Sequence, residues 1–298
     1  MNSKQPNLKP EPSFKASELT LADDGSLYHI RLFPEELADN VILVGDPKRV
    51  NLVSDFFDTV EVRKENREIV THTGTYKGKR ITAMSTGMGV DNLDIVITEL
   101  DACRNIDLKE RVLKPELSSL NLVRLGTTGA MQKDMDINSF ICSEYVIGID
   151  GMMWFYKNNP SVTEDELQRN FVDFMQWKAP LPTPYAVKCS QNLLQKIAFD
   201  IPKGITVTAP GFYGPQGRQI RLPLYDDTIN DRLPDFSYNS KKITNYEMET
   251  SSLYCLGKNL GHNVLTICNV IANRYQGTFA KDYHESMGRL IQTVLDRI

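Results

Sequence analysis

Apolar positions along the chain follow two rhythms, one of strands and one of helices. Val41-Ile42-Leu43-Val44 is an uninterrupted apolar run, which predicts a buried strand. It stops at Gly45-Asp46-Pro47. Proline favours the first turn of a helix, and Val50, Val53 and Phe57 give that helix one apolar face. Residues 71–76 and 79–86 predict two strands joined by a turn at Lys77-Gly78. Past Ser85-Thr86-Gly87-Met88-Gly89, Leu93, Val96, Ile97 and Leu100 recur with the helical period. Leu122-Val123 opens another strand, expected to end in a Gly126-Thr127-Thr128-Gly129 turn, and residues 140–149 predict one more. Further on, helices are expected over 191–199 and 248–260, and strands over 204–208 and 264–270. Met287, Leu290, Ile291, Val294, Leu295 and Ile298 trace the clearest helix, at the C-terminus. Residues 28–32 predict a short extended segment, and residues 151–184 show no clear period. Strands alternating with helices predict an α/β fold on a largely parallel sheet with antiparallel additions.

Composition narrows the functional classes. The 298 residues are 41% hydrophobic and 24% charged, ordinary values for a globular chain. With 34 basic against 38 acidic residues the net charge is −4, which argues against a general nucleic-acid binder but leaves room for a local cationic pocket. No apolar run is long enough to span a membrane, and residues 1–20 have no signal-peptide core, so no membrane partner and a cytoplasmic location are expected. Residues 1–25 are polar and proline-bearing and are expected to be a loose extension to a domain over 26–298. The five cysteines are scattered without a Cys-x-x-Cys pair, and no two of the four histidines have metal-ligand spacing.

The candidate chemistry gathers where strands end. Gly45, Gly87/Gly89 and Gly126/Gly129 each follow a predicted strand, and α/β proteins bind ligands at the carboxyl ends of their strands. Arg49 lies one helical turn past Gly45, and Arg124 interrupts an apolar run just before Gly126. A guanidinium there is costly unless it meets an anion, and its fork suits phosphate. Neither the Walker A nor the dinucleotide spacing is present, so free phosphate fits better than a nucleotide triphosphate or NAD. Taken singly, each arginine reads more simply as a solvated surface residue. Their coincidence with glycine turns makes the case for a site.

Four segments in order resemble the nucleoside phosphorylase family, over the chain from about His29 onward with an insertion at 151–186. Gly45-Asp46-Pro47-Lys48-Arg49, Ser85-Thr86-Gly87-Met88-Gly89 and Arg124-Leu125-Gly126-Thr127-Thr128-Gly129 resemble its phosphate loops, and Tyr246-Glu247-Met248-Glu249 its ribose-binding segment. Phe212-Tyr213-Gly214-Pro215-Gln216-Gly217-Arg218 is similar to the base-reading loop of the uridine-specific branch. Relatives acting on purines carry an acid where this chain has Ala272, and Asn273-Arg274 again resembles the uridine branch.

The resemblance implies a single-domain, three-layer sandwich with a central mixed, largely parallel twisted sheet flanked by helices. It implies reversible phosphorolysis of uridine to uracil and ribose 1-phosphate. Phosphate would be held by Gly45, Arg49, Arg124, Thr127 and the Arg67 of a neighbouring subunit. His29, Thr127, Gly129, Phe212, Gln216, Arg218, Glu247, Met248, Glu249 and Arg274 would hold the nucleoside, with Arg124, Gln216, Arg218 and Glu249 most directly involved in catalysis. An amide and a guanidinium two residues apart match the O2, N3–H and O4 edge of uracil. No metal or organic cofactor is implied. Some relatives hold an alkali cation near the position of Glu68, but Val90-Asp91-Asn92 departs from their pattern there. Gly214-Pro215 and Gly217 also depart from the usual base loop. A homodimer or a hexamer with shared active sites is implied. The alternatives are a broader pyrimidine range, a purine phosphorylase, a hydrolytic nucleosidase and a non-catalytic nucleoside-binding protein.

Overall fold

The computed structural model describes residues 13–298. Its first half contains β1 (Asn40–Val44), α1 (Pro47–Ser54), β2 (Thr59–Asn66), β3 (Ile69–Tyr76), β4 (Lys79–Ser85), α2 (Val90–Asn105), β5 (Asn121–Ala130) and β6 (Phe140–Gly148). The second half adds α3 (Asp165–Met175), β7 (Tyr185–Lys188), α4 (Gln191–Ile197), β8 (Lys203–Thr208), β9 (Lys241–Glu247), α5 (Thr250–Asn259), β10 (Asn263–Asn273) and α6 (His284–Arg297). These strands belong to one mixed sheet in the order β9-β8-β6-β10-β5-β1-β4-β3-β2, with β7 on β6, and a separate two-stranded sheet pairs residues 106–107 with 112–113. This is the α/β architecture expected from the alternation of strands and helices.

The centre of the sheet follows from sequence pattern. β1 pairs in parallel with β4 on one side and β5 on the other. A strand covered on both faces must be apolar at successive positions, and Val41, Ile42, Leu43 and Val44 are all fully buried. β2 lies at the edge and alternates between exposed and half-buried residues. It is a strand that the polar stretch Lys64-Glu65-Asn66-Arg67 does not advertise. α6 buries Met287, Leu290, Ile291 and Val294 completely, each contributing on the order of 1.5–3 kcal/mol.

Three expectations are corrected. Residues 28–32 are not an extended segment: residues 28–30 form a turn and Arg31 follows at φ 57°. Phe57 lies beyond α1, which ends at Ser54. The Gly-Thr-Thr-Gly segment is not a turn: β5 runs through it to Ala130, pairing in parallel with β10 along its whole length. Of the expected loose extension, residues 1–12 lie outside the described residues. Residues 13–25 are tied down, because Arg111 Nε donates to Phe14 O at 2.9 Å, Phe14 N donates to Arg111 O at 2.8 Å, and Leu19 is buried. The patternless stretch after Gly151 contains α3, whose Leu167, Phe171 and Met175 fill a second apolar core with Phe236 and Ile243.

The path of β5 positions the site. β1, β4, β5 and β10 are mutually parallel, so Gly45, Gly87 and the Gly126–Gly129 segment gather at one end. β9 runs the other way and pairs with the end of β5, Tyr246 opposite Gly129. That pairing brings Glu247 and Glu249 back over Arg124. No helix among the described residues is long and apolar enough to cross a membrane.

Candidate active site

A cavity of about 830 Å³ opens where these strand ends meet. Gly45, Arg49, Arg124, Thr127, Gly129, Phe212, Gln216, Arg218, Glu247, Met248 and Glu249 all line it, together with Glu68, Met88, Tyr246 and Ala272. Eleven of the residues singled out from sequence therefore meet in one cleft, although they span Gly45 to Glu249 in the chain.

One end of the cleft is built around Arg124, which is only 3% exposed. Its Nη2 donates to Glu249 Oε2, and its Nη1 lies 3.5 Å from Glu247 Oε2. Burial works against the guanidinium charge, but the two carboxylates hold its pKa above the ordinary range. Gly126 is what makes room for it. A Cβ there would come within 2.1 Å of Arg124 Nη1 and 2.9 Å of Cys268 Sγ. Close approach, not turn geometry, explains that glycine. Burial pushes the Cys268 thiol up to about 12, so it sits beside Arg124 as a neutral group.

The carboxylates are held in turn. Glu249 Oε1 accepts from Gly89 N at 2.8 Å, and Gly89 has φ 97°, a conformation suited to glycine. Burial raises the Glu249 pKa, while Arg124 opposes the shift. Glu247 Oε2 accepts from the backbone N–H of Glu249 and Thr250, each at 2.9 Å, and Oε1 accepts from the Thr208 hydroxyl. Glu247 thus caps the start of α5, satisfying N–H groups that the helix itself cannot. Its oxygens are engaged within the protein, which makes it a brace for Glu249 and Arg124.

Arg49 Nε and Arg124 Nε are buried here and have no hydrogen-bond partner among the described residues. A buried guanidinium N–H left unpaired is costly, so both call for an acceptor in the cavity. Arg49 is placed by α1, whose first turn is capped by the Asp46 side chain accepting from Lys48 N at 2.9 Å. Thr127 lines the cavity. Its neighbour Thr128 is tied into the sheet by donating to Tyr246 O at 2.5 Å and accepting from Asn245 Nδ2 at 2.9 Å.

The other end is an amide framed by two cations. Arg218 Nη1 donates to Gln216 Oε1 at 2.6 Å, and its guanidinium lies 3.8 Å from the centre of the Phe212 ring. Arg274 Nη1 donates to Gln216 O at 2.8 Å, with Nη2 3.4 Å from Gln216 Oε1. Arg274 thus braces Gln216 from behind rather than lining the cavity. With Oε1 receiving these donors, the Gln216 amide nitrogen is presented as a donor. Burial and Arg274 lower the Arg218 pKa to about 10, still charged at neutral pH. The nearby groups that favour charge on Arg218 and Arg274 are tyrosines, not carboxylates.

His29 and Arg67 are not brought to this cavity. The His29 ring lies 2.6 Å from Glu99 Oε1, and Asn66 Nδ2 donates to His29 O at 2.9 Å, so His29 and the exposed Arg67 share one surface region. Sequence reasoning did not single out Thr208 or Asp150. Asp150 accepts from Tyr185 Oη at 2.8 Å and Ser251 Oγ at 2.7 Å, and Ser251 N donates to Thr208 Oγ1 at 3.0 Å. This chain of contacts ties both ends of the 151–186 segment to the first turn of α5. Thr208, at a strand end ahead of the base loop, had a positional signal; Asp150 had none.

A family model described as the phosphorylase superfamily matches residues 39–298. Among curated relatives, the uridine phosphorylase of Thermococcus kodakarensis is 29% identical over 276 residues, covering 90% of this chain and 85% of that one. The DeoD-type purine nucleoside phosphorylase of Geobacillus stearothermophilus is 26% identical over 271 residues, covering 90% and 97%. Among solved structures, a nucleoside phosphorylase of Trypanosoma brucei, described as showing uridine phosphorylase activity, superimposes with a TM-score of 0.85 at 27% identity, covering 94% of this chain and 98% of that one. With the family match spanning nearly the whole described chain and the fold and cleft agreeing with it, the chain belongs to the phosphorylase superfamily, as a pentosyl-transferring enzyme acting on nucleoside and phosphate.

Proposed function

We propose that the nucleoside is uridine and that the reaction is its reversible phosphorolysis to uracil and ribose 1-phosphate. The observation that carries this reading is the Gln216 carboxamide, held by Arg218 and Arg274, in the same cleft as the unpaired N–H groups of Arg49 and Arg124. Uracil presents O2, N3–H and O4. Arg218 turns its fork from Gln216 Oε1 to one uracil carbonyl, which frees Oε1 to accept N3–H while Gln216 Nε2 donates to the other carbonyl. A base with an amino group at that edge would meet donors with a donor.

At the opposite end, phosphate is held by the Gly45 backbone, Arg49, Arg124 and Thr127. A phosphate oxygen forms a bond to C1′ as the C1′–N1 bond breaks, and its electron pair leaves with uracil. Phosphate beneath the developing oxocarbenium stabilises positive charge there, while Gln216 and Arg218 stabilise negative charge on the base. Glu249 accepts from the ribose hydroxyls, and Met248 lines the same wall. Within this chain two guanidiniums, Arg49 and Arg124, share that end with three carboxylates, Glu68, Glu247 and Glu249. That balance disfavours an anion. A second copy supplying Arg67, with His29 directed to the 5′-hydroxyl, offsets it, so the working unit is at least a homodimer with shared sites.

The DeoD-type relatives favour a second reading, purine phosphorolysis. Ala272, which lines the cleft, offers no acid to protonate a purine. A panel of uridine, thymidine and inosine, each with phosphate, decides between them by ultraviolet detection of base release. The uridine reading expects uracil release at least about a hundredfold faster than hypoxanthine release, the scale on which a paired polar site discriminates. Faster release from inosine would replace it with the purine reading. The thymidine arm measures tolerance at the 2′ position and at C5.

A further inference from the structure

Tyr246 is only 2% exposed and lines the catalytic cleft, yet its hydroxyl has no hydrogen-bond partner among the described residues. A buried phenol normally finds one, and leaving it without one costs roughly 1–3 kcal/mol. The residue sits on β9 immediately before Glu247, opposite Gly129 of β5, so its backbone is fixed by two strands. The Arg274 guanidinium lies 5.6 Å from its ring centre, and that same guanidinium holds Gln216. The hydroxyl is therefore an unused donor near the Arg274 and Arg218 guanidiniums, the pair that hold Gln216 at the base end of the cleft. Burial raises its pKa, while the Arg274 and Arg218 charges pull the other way, so the group stays protonated and able to donate at neutral pH.

We propose that Tyr246 is a third base-contacting residue, its hydroxyl donating a hydrogen bond to the departing uracil. The inference rests on the uridine reading given above. In the ground state uracil is neutral and the bond is ordinary. As the C1′–N1 bond breaks, the electron pair passes to uracil and spreads over its carbonyl oxygens, and a donor already in place strengthens its hold. The proton stays on Tyr246. The contribution therefore belongs to the transition state and appears in kcat more than in KM.

The test is Tyr246→Phe, assayed on uridine and on 5-fluorouridine with phosphate. Fluorine makes the departing base a weaker base, so it depends less on donated hydrogen bonds. The expected result is a fall of about tenfold in kcat for uridine, the scale of one hydrogen bond to a charged group, and of no more than about threefold for 5-fluorouridine. The thermal midpoint should not fall, because the change deletes an unpaired polar atom and keeps the ring. Equal losses on both substrates, a change confined to KM, or no loss at all would overturn the proposal. Wild-type enzyme that fails to release uracil from uridine would instead overturn the reading beneath it, a result separable from the other three.

Discussion

Replacing Arg124 with alanine should lower kcat/KM for uridine by about a thousandfold and destabilise the fold by about 3–5 kcal/mol. Both losses have one cause. Arg124 is the only cation paired with Glu249 and Glu247 in the described ion pairs, and all three side chains are almost wholly buried. Without it, two largely buried carboxylates are left without a paired cation, and on the proposed reading the phosphate loses a guanidinium. The stability loss should depend on pH in a definite direction. Burial and the neighbouring Glu247 already raise the Glu249 pKa, and only Arg124 among the side-chain charges there opposes the shift. In the variant the folded-state pKa rises further above the unfolded value of about 4.3. The native state then binds more protons than the unfolded state, so stability falls as pH increases through that window. Chemical denaturation at pH 5 and pH 8 should show the larger deficit at pH 8. Adding Glu249→Gln should restore much of the stability but none of the turnover. A single variant with normal turnover would show that the buried ion pair is structural only.

Arg218→Ala should act at the other end and in a different way. Arg218 is part-exposed and packs on Phe212, which is itself 50% exposed. Its loss should leave the thermal midpoint nearly unchanged. The Gln216 oxygen then loses its closest donor, and on the proposed uridine reading the base loses the guanidinium that faces one of its carbonyls. A fall of about a hundredfold or more in kcat/KM for uridine is expected, with a smaller ratio between uridine and inosine than in the wild type. Arg218→Lys should recover only part of the loss, because an ammonium keeps the charge but neither the fork nor the stacking on Phe212. Uridine turnover close to wild type in Arg218→Ala would remove this residue from base recognition.

These two ends were not equally readable from the sequence. β1 and α6 announce themselves, because a doubly covered strand is apolar throughout and an amphipathic helix repeats every 3.6 residues. β2 did not, since an edge strand needs only one half-buried face and Thr59-Val60-Glu61-Val62-Arg63-Lys64 supplies it with little apolar content. The Gly-Thr-Thr-Gly segment looked like a turn because glycine usually marks one. Gly126 instead clears space for a side chain from its own strand, a contact that no spacing rule reveals. Gly45, Arg49, Arg124, Thr127, Gly129, Phe212, Gln216 and Arg218 were legible because they sit in or beside short glycine-bearing segments, whereas Glu247, Met248 and Glu249 were singled out by the resemblance of residues 246–249 to a ribose-binding segment. Their supports were not. Glu247 turning inward to cap α5, Thr208 reaching Glu247, and Asp150 gripping Ser251 depend on chain segments that meet only in the folded sheet. The free hydroxyl of Tyr246 belongs to the same class, since only the three-dimensional neighbourhood shows that nothing satisfies it.

On the proposed reading the cleft joins phosphate to the ribose of uridine. The most direct test incubates the wild-type enzyme with uridine, with and without inorganic phosphate, and follows both uracil and the sugar product. Uracil release should require phosphate and yield equal amounts of uracil and ribose 1-phosphate. Uracil release at the same rate without phosphate, with free ribose as the product, would contradict that reading.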